Sequence, residues 1–237
     1  MNWAEQGFVI SARPHGETSA VLELFTRKHG RFMGLVRGGR GRRIRPVLQT
    51  GNLLEAQWRA RLAEHLGTFS VEAIEMNAAR LIDDPFRLAG LTSLASLTQL
   101  VPEREPHERL FDAFEIVLGA LQESDHWPAL LVRWELGLLE ELGFGLDLAT
   151  CAATGASDDL IYVSPKTGRA VSASAGAPYH DKLLALPGFA IGQGEASPDD
   201  VVAGFALTGY FLDRHIFSAR GLQPPESRAR LIAKLKT

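Results

Sequence analysis

The hydrophobic pattern of this chain changes period once, close to Asn77, and that change decides what it can fold into. Before it, short β-rich runs are punctuated by glycine and proline; after it, apolar residues return every three or four positions. Residues 7–11 form the first run, which Arg13-Pro14-His15-Gly16 is expected to stop. Residues 20–25 and 31–36 follow, joined by Lys28-His29-Gly30 as a hairpin with glycine in its connection. Two more strand candidates span 52–59, where Leu54, Ala56 and Trp58 share a face, and 67–74. Five short strands in about 75 residues predict a small closed or half-closed barrel.

The second part reads as helices. Asp83-Asp84-Pro85 opens the first of them, with acids and proline where free backbone N–H groups favour them, and Leu88, Leu91, Leu94, Ala95 and Leu97 follow. Leu110, Phe111, Phe114, Val117, Leu118 and Leu121 mark the next, and Leu130 to Leu142 another, closed by Gly143. Ser197-Pro198-Asp199-Asp200 is a strong N-cap signal for a helix through about Arg214, and Pro224-Pro225-Glu226-Ser227 starts a short final one. Residues 148–178 break the rhythm around one strand-like piece, 160–163, and read as an irregular insertion. The fold class is therefore α+β, a barrel domain over 1–79 and a mostly helical domain over 80–237.

Composition removes several alternatives. The chain has 237 residues, 46% hydrophobic and 22% charged, which excludes collagen-like, low-complexity and disordered chains. The uncharged apolar stretch worth testing as a membrane span, 201–212, is shorter than the roughly 20 residues that a bilayer core requires. Met1 to Glu5 carries neither a basic nor an apolar leader region, so a cytoplasmic protein is expected. Cys151 stands alone, which excludes an intrachain disulfide and a zinc site of cysteines only.

Enzyme motifs are missing. No lysine follows a glycine, so there is no P-loop, and Gly192-Gln193-Gly194 lacks the further glycine and preceding strand of a dinucleotide site. No Gly-x-Ser-x-Gly elbow occurs, and no two of the seven histidines sit at metal-ligand spacing on one helix. Asp83-Asp84 and Asp199-Asp200 read as helix caps, and Asp158-Asp159 as a solvated turn. Nothing marks an activating base for Cys151. A protein without catalytic activity or cofactor is expected.

The charge has a sharper message. Net charge is −3, yet residues 1–80 hold 12 Lys and Arg against 7 Asp and Glu, and the remainder is acidic. Between Glu23 and Glu55 there is no acid and eight bases stand: Arg27, Lys28, Arg31, Arg37, Arg40, Arg42, Arg43 and Arg45. Such a run reads either as a solvated loop or as a polyanion site; seven arginines on a barrel favour phosphate contact, because guanidinium binds phosphate bidentately and keeps its proton. Residues 38–43 hold nothing to bury and are expected to be an exposed, flexible loop. Phe32, Trp58 and Phe69 are either core or stacking faces for unpaired bases. A weaker cluster, Arg214, Arg220, Arg228, Arg230, Lys234 and Lys236, suits either a structural role near helix ends or a secondary DNA contact, with Arg228 and Arg230 the candidates.

An ordered set of residues gives the chain a family resemblance. It comprises Thr26-Arg27-Lys28-His29-Gly30-Arg31, Val36-Arg37-Gly38-Gly39-Arg40, Leu48-Gln49-Thr50-Gly51, Leu139-Glu140-Glu141-Leu142-Gly143-Phe144, Tyr162-Val163-Ser164-Pro165-Lys166-Thr167-Gly168 and Ser227-Arg228-Ala229-Arg230-Leu231. Together they resemble the RecO family of bacterial DNA-repair and recombination mediators. The resemblance implies an N-terminal OB-fold, binding of single- and double-stranded DNA, and annealing of complementary strands. It also implies help to RecA in replacing single-strand-binding protein, with RecR as partner, RecF in the same pathway, and the acidic tail of single-strand-binding protein docking on the chain. Nucleoid association would follow. The rival reading is a plain OB-fold nucleic-acid-binding module that does not anneal. Some members carry four cysteines in the insertion as a zinc ribbon. Here Cys151 matches the first, while the other positions fall near Ala153 or Thr154, Ser172 and Ala175, so no metal is expected.

Overall fold

The computed structural model describes residues 1–235, in two compact units that meet in sequence at Glu123 and Ser124. The first begins with β1 (Asn2–His15), β2 (Ser19–Thr26), β3 (Gly30–Val36), β4 (Leu53–Arg59) and β5 (Thr68–Glu75). These close into a barrel in the order β1-β2-β3-β5-β4. That is the OB-fold order, and each of the five expected runs falls in a strand, with β1 extending its run of 7–11 on both sides. Closure rests on one parallel pair, Leu35 with Thr68, next to a Leu35 N–H bond to the Gly67 carbonyl at 3.1 Å.

Alternation also sorts the faces. Val9, Leu22, Leu24, Leu54, Ala56 and Trp58 point inward to one apolar core with Phe32 and Phe69. Phe8 and Phe25, opposite each other on β1 and β2, point out instead. They meet Phe111 and Phe114 of α3 (Glu108–Glu123) at ring separations of 5.1–5.8 Å. The same unit holds α1 (Asn77–Leu81) and α2 (Pro85–Thr98), the latter capped by Asp84, whose carboxylate accepts the Phe86 and Arg87 N–H groups.

The strand expected to stop at Arg13 continues through Pro14, which pairs with Ala20. Proline is tolerated because β4 pairs with β1 only up to Phe8, so this stretch is an edge that needs no N–H on its open side. At the β2–β3 turn Gly30 has φ +64°, and a Cβ there would overlap the Glu105 carbonyl. Only glycine fits.

The second unit contains α4 (Trp127–Glu141), β6 (Leu160–Val163), β7 (Ala170–Ser172), α5 (Ala173–Gly176), β8 (Leu184–Ala185) and α6 (Pro198–Leu212). A π-helical turn over Asp213–Phe217 leads into α7 (Ser218–Arg220), and α8 (Glu226–Leu235) follows. The Ser197-Asp200 capping box opens α6 as the sequence predicts. The insertion is more regular than expected: β6 is the centre of a three-stranded sheet in the order β7-β6-β8. Its outer strands have 3 and 2 residues, too few to show a period. No helix among the described residues is long and apolar enough to cross a membrane.

Candidate nucleic-acid interface

Residues 37–52 join β3 to β4 and carry five of the predicted arginines. The segment is a train of hydrogen-bonded turns instead of a free loop. Gly41 N–H donates to Gly38 O, Ile44 and Arg45 to Gly41 O, Val47 and Leu48 to Ile44 O, and Asn52 to Gln49 O. Its underside is pinned, since Leu48 joins the barrel core with Ile44 and Val47 against it. Buried Asn52 donates to the Pro46 and Val47 carbonyls at 3.0 Å and accepts the Ala78 N–H at 3.0 Å. The absence of apolar residues in 38–43 had suggested flexibility; the anchor lies just beyond, at 44–48.

This base holds the arginines outward. Arg37, Arg40, Arg42, Arg43 and Arg45 are exposed, and none has a carboxylate partner among the described residues. Arg40 Nη1 donates to the Gly16 carbonyl at 2.7 Å, and its N–H to Thr18 O at 3.0 Å. Lys28 is exposed in the β2–β3 turn, its backbone N–H bonded to Glu5 Oε1 at 2.8 Å.

Two of the eight bases differ. Both Arg27 amino nitrogens bind the Asp112 carboxylate, and its Nε lies 3.5 Å from Glu108. Arg31 Nη1 donates at 2.7 Å to buried Glu23, whose other oxygen accepts from Gln99 at 2.9 Å. A segment without acids is thus not one without counter-charge, because α3 supplies carboxylates 80 and more positions away in sequence.

Shallow grooves flank the loop. One, ≈ 490 Å³, has Arg37 with Gln57, Arg59, Thr68 and Ser70 on the outer face of β4 and β5. The other, also ≈ 490 Å³, has Arg40 and Arg45 with Arg13 of β1, Gln49 and Thr50. Arg13 and Arg59 were not predicted. Arg59 was readable, since it alternates outward with Gln57 against inward Ala56 and Trp58. Phe32, Trp58 and Phe69 prove to be core, 6%, 2% and 5% exposed. Trp3 packs against all three rings at 5.1–6.1 Å, so none offers a face to a base.

The tail divides as well. Arg228 does not reach the surface: it is 8% exposed, with Nε and Nη2 each 2.8 Å from an oxygen of buried Glu135 on α4. Nη2 also donates to the Phe205 carbonyl at 2.9 Å. Burial works against its charge, but the Glu135 carboxylate outweighs this and holds its pKa above the ordinary value. It is therefore part of the interior and not a secondary DNA contact. Arg230 and Arg220 are exposed, Arg214 caps the Pro165 carbonyl at 3.0 Å, and Lys236 lies outside the described residues.

In the insertion, Thr154 and Ser172, at two of the ribbon positions, lie beside Cys151. The Ser172 N–H donates to Sγ at 3.3 Å and its hydroxyl stands 3.4 Å away. Hydrogen bonds from the Ser172 and Thr154 hydroxyls lower the thiol's pKa, with burial acting in the opposite sense. One thiol, two hydroxyls and the Ala175 methyl do not fit Zn²⁺, which takes four thiolate, imidazole or carboxylate ligands. Metal analysis of purified protein is expected to return far less than one zinc per chain, and stoichiometric zinc would overturn this reading.

The family model "Recombination protein O N terminal" matches residues 1–77, and "Recombination protein O C terminal" matches 82–222. The chain is 54% identical to a Methylorubrum populi protein named DNA repair protein RecO, over 98% of both chains. Proteins of the same name from Rhodospirillum centenum and Mesorhizobium japonicum are 53% and 52% identical, covering all of this chain and 95% and 94% of theirs.

Proposed function

Because this chain belongs to the RecO family, we propose that it serves DNA repair and homologous recombination as a mediator without catalytic activity. It binds single- and double-stranded DNA, anneals complementary strands and, with RecR, helps load RecA onto DNA coated by single-strand-binding protein. RecF acts in the same pathway, the acidic tail of single-strand-binding protein docks on the helical part of the chain, and the work is done in the cytoplasm at the nucleoid.

One observation carries this reading: five exposed arginines on one pinned loop of an OB barrel have no carboxylate partner among the described residues. Annealing needs no covalent step. It needs the mutual repulsion of two polyanions to be screened, which a dense set of fixed guanidinium groups supplies as they displace condensed counterions. Arginine suits this better than lysine, since its planar fork loses less freedom per phosphate bond.

The test uses complementary oligonucleotides coated with the cognate single-strand-binding protein, followed by fluorescence transfer. The chain is expected to accelerate annealing without ATP and to leave labelled DNA uncut in Mg²⁺ or Mn²⁺. Binding of naked strands without acceleration would leave a simple OB-fold binding module, and metal-dependent cutting would make the protein a nuclease.

A further inference from the structure

We propose that the 37–52 loop is a partition between two single-strand tracks, so that one chain holds two DNA strands side by side. This rests on the nucleic-acid reading above and adds to it the number of strands and their paths.

The inference comes from how the two grooves divide the loop. Arg37 and Ile44 line the first, whereas Gly39, Arg40 and Arg45 line the second, and the two linings have no residue in common. Ile44 and Arg45 are consecutive, so the chain itself runs between the grooves. Arg42 and Arg43 belong to neither lining and stand exposed on the ridge.

The ridge is held from one side and from below. Toward the second groove, Arg40 bonds the β1–β2 turn through its N–H and its guanidinium. Gly39 is packed so closely that a Cβ would lie 2.8 Å from the Ala20 Cβ. Underneath, Leu48 is locked in the barrel core. A pinned ridge keeps two narrow tracks apart and prevents their merging into one trough.

Each track has the same chemistry. The first offers Arg37 and Arg59 with neutral donors Gln57 and Ser70; the second offers Arg13, Arg40 and Arg45 with Gln49 and Thr50. Neither lining contains a carboxylate. Such a set suits a phosphodiester backbone read without regard to sequence. Two occupied tracks would place two polyanions close together, and Arg42 and Arg43 sit on the ridge between them, where positive charge lowers that repulsion most.

The test titrates the full chain with a short labelled oligothymidylate at low salt and counts strands bound per chain. Wild type is expected to bind two. Arg37→Ala with Arg59→Ala, and separately Arg13→Ala with Arg45→Ala, should each bind one. The strand that each pair still binds should keep its wild-type salt slope, and annealing should slow roughly tenfold. All four arginines are exposed, so thermal midpoints should match wild type. The wild-type count tests the partition with no variant at all. One strand per wild-type chain, with both pairs weakening the same binding event, would overturn the partition and leave a single continuous path. No binding by wild type would instead bring down the nucleic-acid reading on which it rests.

Discussion

Arg228→Ala is expected to destabilise the C-terminal unit by about 3–5 kcal/mol, because it leaves the buried Glu135 carboxylate without its partner. Glu135 has 0% exposure, and Arg228 supplies both of its two-point bonds. The Thr208 hydroxyl alone is left to donate to it. Chemical denaturation followed by circular dichroism measures the loss. Replacing both partners with apolar residues of similar volume, Arg228→Met with Glu135→Leu, should recover most of it, since no charge then remains buried. A single variant within about 0.5 kcal/mol of wild type would mean that water reaches the carboxylate and that the pair does not hold α8. Below its unfolding transition, Arg228→Ala should also keep the wild-type salt slope of DNA binding, as a residue sealed from solvent must.

The second large effect concerns binding. Replacing Arg40, Arg42 and Arg43 by alanine is expected to flatten the log K against log salt slope on single strands by about 2 and to lower affinity near 0.1 M salt by about a hundredfold. If about five basic groups contact phosphates, the wild-type slope is roughly −3.5. The loss should be the same for every sequence, because phosphate contacts carry no sequence information. Stability should change little: Arg42 and Arg43 have no hydrogen bond or ion-pair partner among the described residues, and Arg40 loses one exposed bond to Gly16 O. Arg27→Ala is the control. Its charge is already matched by Asp112 and Glu108, so its slope should stay near wild type. An unchanged slope in the triple variant, or an equal change in Arg27→Ala, would remove the loop from the binding surface.

What could be read in the sequence follows from the range of the interaction concerned. Alternation along a strand is a property of neighbouring residues, and all five barrel strands were legible from it. The Asp84 and Ser197 caps were legible for the same reason, since a cap acts within one turn. Counter-charges were not. Arg27 and Arg31 look as free as Arg42 until the fold brings up Asp112 and Glu23. Arg228 reads in sequence either as a structural cation near a helix end or as a DNA contact, and it lies three positions before Leu231, so on the same buried face. That spacing was the available signal. Arg104 had none: it adopts φ +67° and places its guanidinium 4.7 Å from the Phe32 ring, a position only the finished barrel defines.

The single parallel pair that closes the barrel has a mechanical meaning. Four of the five junctions are long antiparallel ladders, while β3 and β5 are joined at Leu35 and Thr68 alone. A ring with one short joint concentrates its compliance there, because parting a few bonds costs far less than unzipping a ladder. Thr68 also belongs to the wall of the Arg37–Arg59 groove. The wall of that groove therefore runs along the shortest joint of the cylinder, where core residues Val36 and Phe69 hold β3 against β5 beside few backbone bonds.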